Sequence, residues 1–194
     1  KMLSLEESLK ILKETKALLE GHFILSSGLH SAQYLQCAQL MSKPDKAVKI
    51  CKSLSEKIKK EFNNIDIILS PAMGGIIVGY EIGRFLMKQT IFSERVNGEL
   101  KLRRDFSLKK NQKVLIVEDV ITTGKSSLEC AKIVLKNEAI VVGYACIIDR
   151  SNNSSLIKDK IVSQIKLNIP TYSKTNLPES LSSLKPVKPG SREL

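Results

Sequence analysis

The sequence predicts an α/β fold: a parallel sheet flanked by helices, with a small N-terminal hood. Three observations carry this. Apolar, β-favouring runs at 65–70, 113–119 and 139–149 alternate with segments of helical apolar period. Two runs end in glycine-bearing loops that open helices, Pro71-Ala72-Met73-Gly74-Gly75 and Glu118-Asp119-Val120-Ile121-Thr122-Thr123-Gly124. The chain of 194 residues has the size of one compact domain. It divides into a helix and hood (1–41), an α/β core (42–170) and a tail (171–194).

Residues 4–20 read as an amphipathic helix, with Leu5, Leu9, Leu12, Leu18 and Leu19 on the apolar face and Gly21 as its stop. Residues 22–41 read as a loop with short extended segments. Ser42-Lys43-Pro44-Asp45 starts the next helix, with Ser42 and Asp45 as a capping-box-like pair. Ala47, Cys51, Leu54, Ile58 and Phe62 give its apolar face, and Asn63-Asn64 ends it. A central strand follows at 65–70, a helix at 76–88 and a short strand at 90–94. Asn97-Gly98 between short alternating runs predicts a hairpin turn. The strand at 113–119 leads into a helix at 124–136. Strands at 139–149 and 161–167 complete a Rossmann-like series of βαβ units.

Composition narrows the function. Hydrophobic content of 42% and charged content of 26% predict a globular domain, and no apolar stretch is long enough to span a bilayer. Acids in Lys1-Met2-Leu3-Ser4-Leu5-Glu6-Glu7-Ser8 stand where a secretory signal needs an apolar core, so a cytoplasmic location is expected. Cys37, Cys51, Cys130 and Cys146 form no Cys-x-x-Cys pair, and buried free thiols are expected. The net charge of +11 raises a nucleic-acid partner. Against it, 25 lysines spread along the chain outnumber 6 arginines, and aromatics make up only 5%. No nucleic acid and no membrane are expected as partners. The basic balance suits attraction of a polyanionic small molecule.

The most informative stretch is Val114-Leu115-Ile116-Val117-Glu118-Asp119-Val120-Ile121-Thr122-Thr123-Gly124-Lys125-Ser126. An apolar strand runs into two carboxylates and then a loop at a helix start. Backbone N–H groups and hydroxyls from Thr122 to Ser126 make a phosphate cradle. The acids repel phosphate but suit ribose hydroxyls or a magnesium ion beside it. Gly124-Lys125-Ser126 imitates the end of a Walker A loop, yet that motif needs glycine where Asp119 stands. An ordinary capped strand–turn–helix, with Ser126 and Glu129 as capping box, explains the helix start but not the paired acids.

Other segments add to this edge. Gly74-Gly75 lets a ligand approach the backbone, or lets the helix pack closely on its strand. Residues 94–113 hold seven cations and three acids without a clear apolar period. They read as a mobile basic loop that closes over a pyrophosphate, or as a solvated hairpin. Asp149-Arg150 ends the next strand, where an arginine pairs with a substrate carboxylate or with a surface acid.

The motif strand and loop resemble the 5-phosphoribosyl 1-pyrophosphate motif of the type I phosphoribosyltransferases. Phe23-Ile24-Leu25-Ser26-Ser27-Gly28-Leu29-His30-Ser31 is similar to the N-terminal element of the orotate phosphoribosyltransferases in that family. The order of Pro71-Ala72, Glu94-Arg95, Glu118-Asp119 and Asp149-Arg150 resembles the same group, as does Lys188-Pro189-Gly190-Ser191-Arg192. The resemblance implies a five-stranded parallel core with a hood, a homodimer, and transfer of phosphoribose to orotate with Mg²⁺. It implies that Arg95, Lys101 and Asp119 are catalytic. Glu118 and Asp119 would bind ribose hydroxyls. Val120, Ile121, Thr122, Thr123, Gly124, Lys125 and Ser126 would line the 5′-phosphate loop. Arg150 would meet orotate, and Met73 and Gly74 would touch pyrophosphate. No protein-ligated metal is implied, because Mg²⁺ would be held through pyrophosphate and ribose hydroxyls. Arg95 and Lys101 would cross to the partner's site. Ser26 stands where many members carry lysine, and Lys101, Arg103 and Arg104 compete as the key loop cation. Ser180 and Ser183 stand where related members carry Cys-x-x-Cys.

Overall fold

A computed structural model describes residues 1–152 and 154–189. The end of the terminal motif, Gly190-Ser191-Arg192, lies outside the described residues.

Helix α1 (Leu5–Glu14) starts in a capping box: the Ser4 hydroxyl accepts from the Glu7 N–H at 3.1 Å, and the Glu7 carboxylate accepts from the Ser4 N–H at 2.7 Å. The helix stops well before the expected residue 20. Lys16 takes a left-handed φ of 61°, and the chain enters β1 (Leu18–Ile24). Leu18 and Leu19 continue the helical period but pair instead with Leu35 and Tyr34 of β2 (His30–Leu35). Cross-strand burial outweighs local periodicity here, and Gly21 sits at an irregularity of the strand instead of at a helix stop. The segment expected to be irregular therefore holds most of this hairpin and the short helix α2 (Cys37–Met41). The tail joins the hood through bridges from Phe23 to Val187 and from His30 to Tyr172. His22 Nδ1 lies 3.0 Å from the Leu184 carbonyl, and its Nε2 lies 2.7 Å from His30 Nδ1.

Helix α3 (Pro44–Glu61) begins at its proline, which tolerates the first helical position because no N–H bond is needed there. Ser42 does not cap it. Ser42 closes α2 instead, its hydroxyl donating to the Gln39 carbonyl at 2.8 Å. Ala47, Ile50, Cys51, Leu54 and Ile58 are buried along α3.

The main sheet contains β3 (Ile67–Pro71), β4 (Gln89–Val96), β5 (Glu99–Leu102), β6 (Lys113–Ile121), β7 (Ile140–Asp149) and β8 (Ile161–Lys166). Their order is β5-β4-β3-β6-β7-β8, parallel throughout except for the antiparallel edge strand β5. Helix α4 (Gly75–Leu86) follows β3, α5 (Lys125–Lys136) follows β6, and α6 (Glu179–Ser182) lies in the tail. Successive side chains of β3 and β6 feed two core layers. Ile68, Leu115 and Val117 face α3 and α4, whereas Ile67, Leu69, Val114 and Ile116 share the second layer with Cys130 and Val134 of α5. Each fully buried Leu or Ile contributes roughly 1.5–3 kcal/mol of transfer free energy, so these strands anchor the edge where the loops lie. All four cysteines are buried and free.

Candidate active site

Parallel pairing of β3, β6 and β7 brings their carboxyl ends to one edge. The two glycine loops touch there. A Cβ on Gly74 would lie 2.7 Å from Asp119 Oδ2, so only glycine lets the first loop pass the second loop's carboxylate. Both following helices start without a side-chain cap, at Gly74 for α4 and Gly124 for α5. Apart from the Lys125 N–H, which meets the Thr123 hydroxyl at 3.3 Å, their first-turn N–H groups have no side-chain acceptor and are suited to an anion.

Gly124 takes φ +83°, and an added Cβ would lie 2.8 Å from Ile157. The segment after β7 therefore braces the cradle, and the Leu156 N–H donates to the Thr123 carbonyl at 2.9 Å. Thr122, Thr123 and Lys125 are exposed and Ser126 is half-buried. Ser126 and Glu129 form no capping box, because the helix begins at Lys125 and Glu129 is committed elsewhere. Ile121 is buried, and its carbonyl accepts from the Arg150 N–H at 2.9 Å, so it supports the loop from behind.

The two acids diverge, as neighbours on a strand do. Glu118 accepts from the Ser127 hydroxyl of α5 at 2.7 Å. Asp119 turns toward Gly74 and accepts from the Val120 N–H at 2.9 Å. Burial pushes the Glu118 carboxyl up to about 7, against the opposing Ser127 hydrogen bond, and the neighbouring Asp119 charge adds to the rise. Burial also raises Asp119, with the Val120 N–H opposing. Neither acid pairs with a cation among the described residues. No group of three or more His, Cys, Asp or Glu side chains there is arranged to hold a metal.

Met73 is 83% exposed in the first loop, beside the exposed Gly74. Arg150 is half-buried at the end of β7, and desolvation lowers its pKa. Its guanidinium makes no ion pair among the described residues, which leaves it available to an anionic ligand.

The basic segment is more ordered in its contacts than its composition suggests. Its first half is the β4–β5 hairpin, turning at Asn97 (φ 50°) and Gly98 (φ 85°), as the Asn-Gly pair requires. Leu100 and Leu108 are buried, and Phe106 meets Phe92 edge-on at 5.3 Å. Arg95 donates to both Glu129 carboxylate oxygens at 3.0 and 3.2 Å, and to the Gly98 carbonyl. Arg104 donates to both oxygens of Glu94 at 2.8 and 3.0 Å. Lys101 is exposed, 3.6 Å from Glu99. Lys101 pairs in register with Glu94 and Arg95 with Leu100, so Lys101 and Arg95 occupy opposite faces of the ribbon. The structure brings together loops 73–74, 118–126 and Arg150; it does not bring Arg95 and Lys101 to one point within a single chain. Ser127 and Glu129 are the residues the sequence reading missed. In the sequence the two lie inside or beside Ser126-x-x-Glu129, a spacing that also admits a capping box, so nothing there singles them out.

Residues 42–180 match the phosphoribosyl transferase domain family. The chain is 46% identical over 190 residues to an orotate phosphoribosyltransferase from Parvibaculum lavamentivorans, covering 97% of this chain and 98% of that one. It is 44% identical over 188 residues to one from Erythrobacter litoralis, covering 96% and 97%. Its fold is similar to the crystal structure of orotate phosphoribosyltransferase from Aeropyrum pernix, with a TM-score of 0.70, 23% identity, and coverage of 81% and 92%. The chain belongs to the phosphoribosyltransferase family.

Proposed function

We infer that this chain is an orotate phosphoribosyltransferase. It joins the phosphoribosyl group of 5-phosphoribosyl 1-pyrophosphate to orotate, giving orotidine 5′-phosphate and pyrophosphate in pyrimidine biosynthesis. One observation supports the chemistry above the others. Two uncapped helix starts, two half-buried acids without cationic partners and one unpaired arginine share a single sheet edge.

The loop Thr122–Ser126 at the start of α5 binds the 5′-phosphate through N–H groups, with Lys125 beside it. Glu118 and Asp119 accept hydrogen bonds from the ribose hydroxyls and hold the ring at the strand end. Met73 and Gly74 place backbone groups against pyrophosphate. Arg150 pairs with an anionic substrate group, and the carboxylate of orotate meets that need. Catalysis is then positioning and electrostatics at an oxocarbenium-like ribose centre. Asp119 fits a cation arriving with the substrate, since its carboxylate lies beside the pyrophosphate loop at Gly74. Bound Mg²⁺ would supply charge neutralisation on the leaving group. Arg95 and Lys101 add positive charge from the hairpin of a partner subunit in a homodimer. No helix is long and apolar enough to cross a membrane among the described residues. Buried free thiols support a cytoplasmic location.

Similar folds at low identity include an adenine phosphoribosyltransferase from Thermoanaerobacter pseudethanolicus, with a TM-score of 0.61 and 18% identity, so the fold alone does not choose the base. An assay with orotate, uracil, adenine and hypoxanthine chooses it. Orotate-dependent release of pyrophosphate is expected. Turnover with a purine and not with orotate overturns this reading.

A further inference from the structure

Lys188 opens the terminal motif, which the site described so far does not use. The tail that carries it is fastened to the hood at two places. Tyr172 pairs with His30, and Val187 pairs in parallel with Phe23. The Val187 N–H donates to the His22 carbonyl at 2.8 Å, and the Val187 carbonyl accepts from the Ile24 N–H at 2.8 Å. Upstream, the Leu184 carbonyl lies 3.0 Å from His22 Nδ1. Parallel register carries the chain onward beside Ile24, toward the turn at 25–29, which the Leu25 N–H closes on the Leu29 carbonyl at 2.8 Å. Lys188 stands there. It is exposed and pairs with no acid among the described residues.

The hairpin lies across the ligand edge. Just past the end of β2, burial raises the Cys37 thiol and the Asp119 charge adds to the rise, so this end of the hood sits near the β6 acid. At the start of β2, the Ser31 hydroxyl donates to the Pro170 carbonyl at 3.3 Å, on the segment that leaves the carboxyl end of β8. Between β6 and β8 lies β7, whose end carries Arg150. β2 therefore runs past the strand end that holds the unpaired guanidinium. Yet the hood brings no cation of its own. The chain carries +11 overall, but no lysine or arginine occurs between Lys16 and Lys43, and Glu20 is the acid in that stretch. A wall without cations faces a site whose proposed ligands are all anions, and the tail lays a lysine against that wall.

We propose that Lys188 is a further orotate-binding residue, holding the base from the hood side while Arg150 holds it from the sheet. The inference rests on the orotate reading. Orotate offers a carboxylate and ring carbonyls, more acceptors than one guanidinium covers. Lysine brings three donors on a flexible four-carbon stem, which suits a contact reached from a neighbouring segment. The other tail lysines before it are placed less well. Lys185 precedes Val187, so the same register sets it back from Lys188 by about 10 Å. Lys174 lies where the chain bends away after Tyr172, the Asn176 N–H donating to the Ser173 carbonyl at 3.0 Å. The hood thereby helps choose the base, because a base without a carboxylate gives Lys188 less to bind.

Steady-state kinetics with orotate and 5-phosphoribosyl 1-pyrophosphate varied separately test this. In Lys188→Met the orotate KM should rise about 10- to 100-fold, the loss expected for one charge-assisted hydrogen bond. The other substrate's KM, and kcat at saturating orotate, should stay within about twofold, because a contact made equally before and during the reaction moves KM alone. Lys188→Arg keeps the charge and should recover most of the loss. Lys174→Met and Lys185→Met should behave as the wild type. Residue 188 is exposed, so its variants should keep the wild-type melting temperature. A hood merely loosened would raise both KM values together and lower the melting temperature, and that result overturns the inference. So does an orotate KM unchanged in Lys188→Met, an equal loss in Lys188→Arg, or a loss that appears at residue 174 or 185 instead. A wild type that does not turn over orotate overturns both this inference and the orotate reading. A wild type that does, with residue 188 making no difference, overturns this inference alone.

Discussion

Glu118 and Asp119 carry negative charge where there is little water, whereas Arg95 and Arg104 carry positive charge where there is plenty. The acids are half-buried, raised toward protonation by desolvation and without cationic partners among the described residues. The arginines are exposed, and each is bound bidentately by a glutamate. Desolvation makes the acids costly to the empty protein, and a ligand that brings hydroxyls and a cation relieves that cost. Water keeps the arginine pairs weak, so the hairpin can exchange its glutamates for phosphate oxygens with little loss. One side of the site is under electrostatic tension; the other is loosely latched.

The sharpest way to break this contrast is Asp119→Asn. The substitution keeps volume and removes a charge-assisted acceptor, so kcat/KM for 5-phosphoribosyl 1-pyrophosphate should fall by roughly two orders of magnitude. Thermal stability should hold or rise, because the buried charge is gone. Unchanged steady-state kinetics would remove the ribose-binding role.

Subunit mixing tests the hairpin side. An Arg95→Ala/Lys101→Ala double variant and Asp119→Asn should each work poorly alone. Mixed, they form heterodimers in which one site holds both defects and the other holds neither. Activity should recover to about half per heterodimer, since a two-fold interface exchanges equivalent loops. Absence of recovery after verified exchange would place these cations in their own subunit's site or outside catalysis.

Glu118→Gln measures the tension as a function of pH. The folded carboxyl titrates near 7, against 4.5 for its ordinary value. Between these values the folded state holds more protons than the unfolded state, so stability falls as pH rises. The penalty is absent below about pH 4.5 and complete above about pH 7, reaching at most about 3 kcal/mol. Glutamine still accepts from Ser127, so the variant should be more stable than the parent at pH 8. Denaturant melts at pH 5 and pH 8 should show the wild-type loss across this window shrinking in the variant. An identical pH dependence would mean that Glu118 is already ionised in the fold.

The smallest effect is expected at the latch. Glu129→Gln should barely change the melting temperature. Hydrogen exchange at 96–104 should rise slightly without substrate and should still slow when 5-phosphoribosyl 1-pyrophosphate and Mg²⁺ are added. Equal exchange with and without substrate would leave the hairpin a static surface element.

The sequence determined the elements whose causes are local. The run Val114–Val117 into Glu118-Asp119 placed a buried strand and its acids, because apolar continuity is what a strand covered on both faces needs. Asn97-Gly98 placed the hairpin, because both positions take positive φ. The resemblance carried by these motifs agreed with the family match over 42–180. Tertiary structure decided what depends on distant partners. Leu18 and Leu19 left the helical period because Leu35 and Tyr34 offered a strand. Ser42 and Asp45 looked like a cap, but Pro44 set the helix start and Ser42 closed the helix before it. The resemblance implies a substrate role for Arg95; what only folding shows is that within one chain it reaches Glu129, which stands 34 positions away. The tension at Glu118 was also invisible in the sequence. Adjacent acids look alike as letters, and only folding sets how much water each one loses.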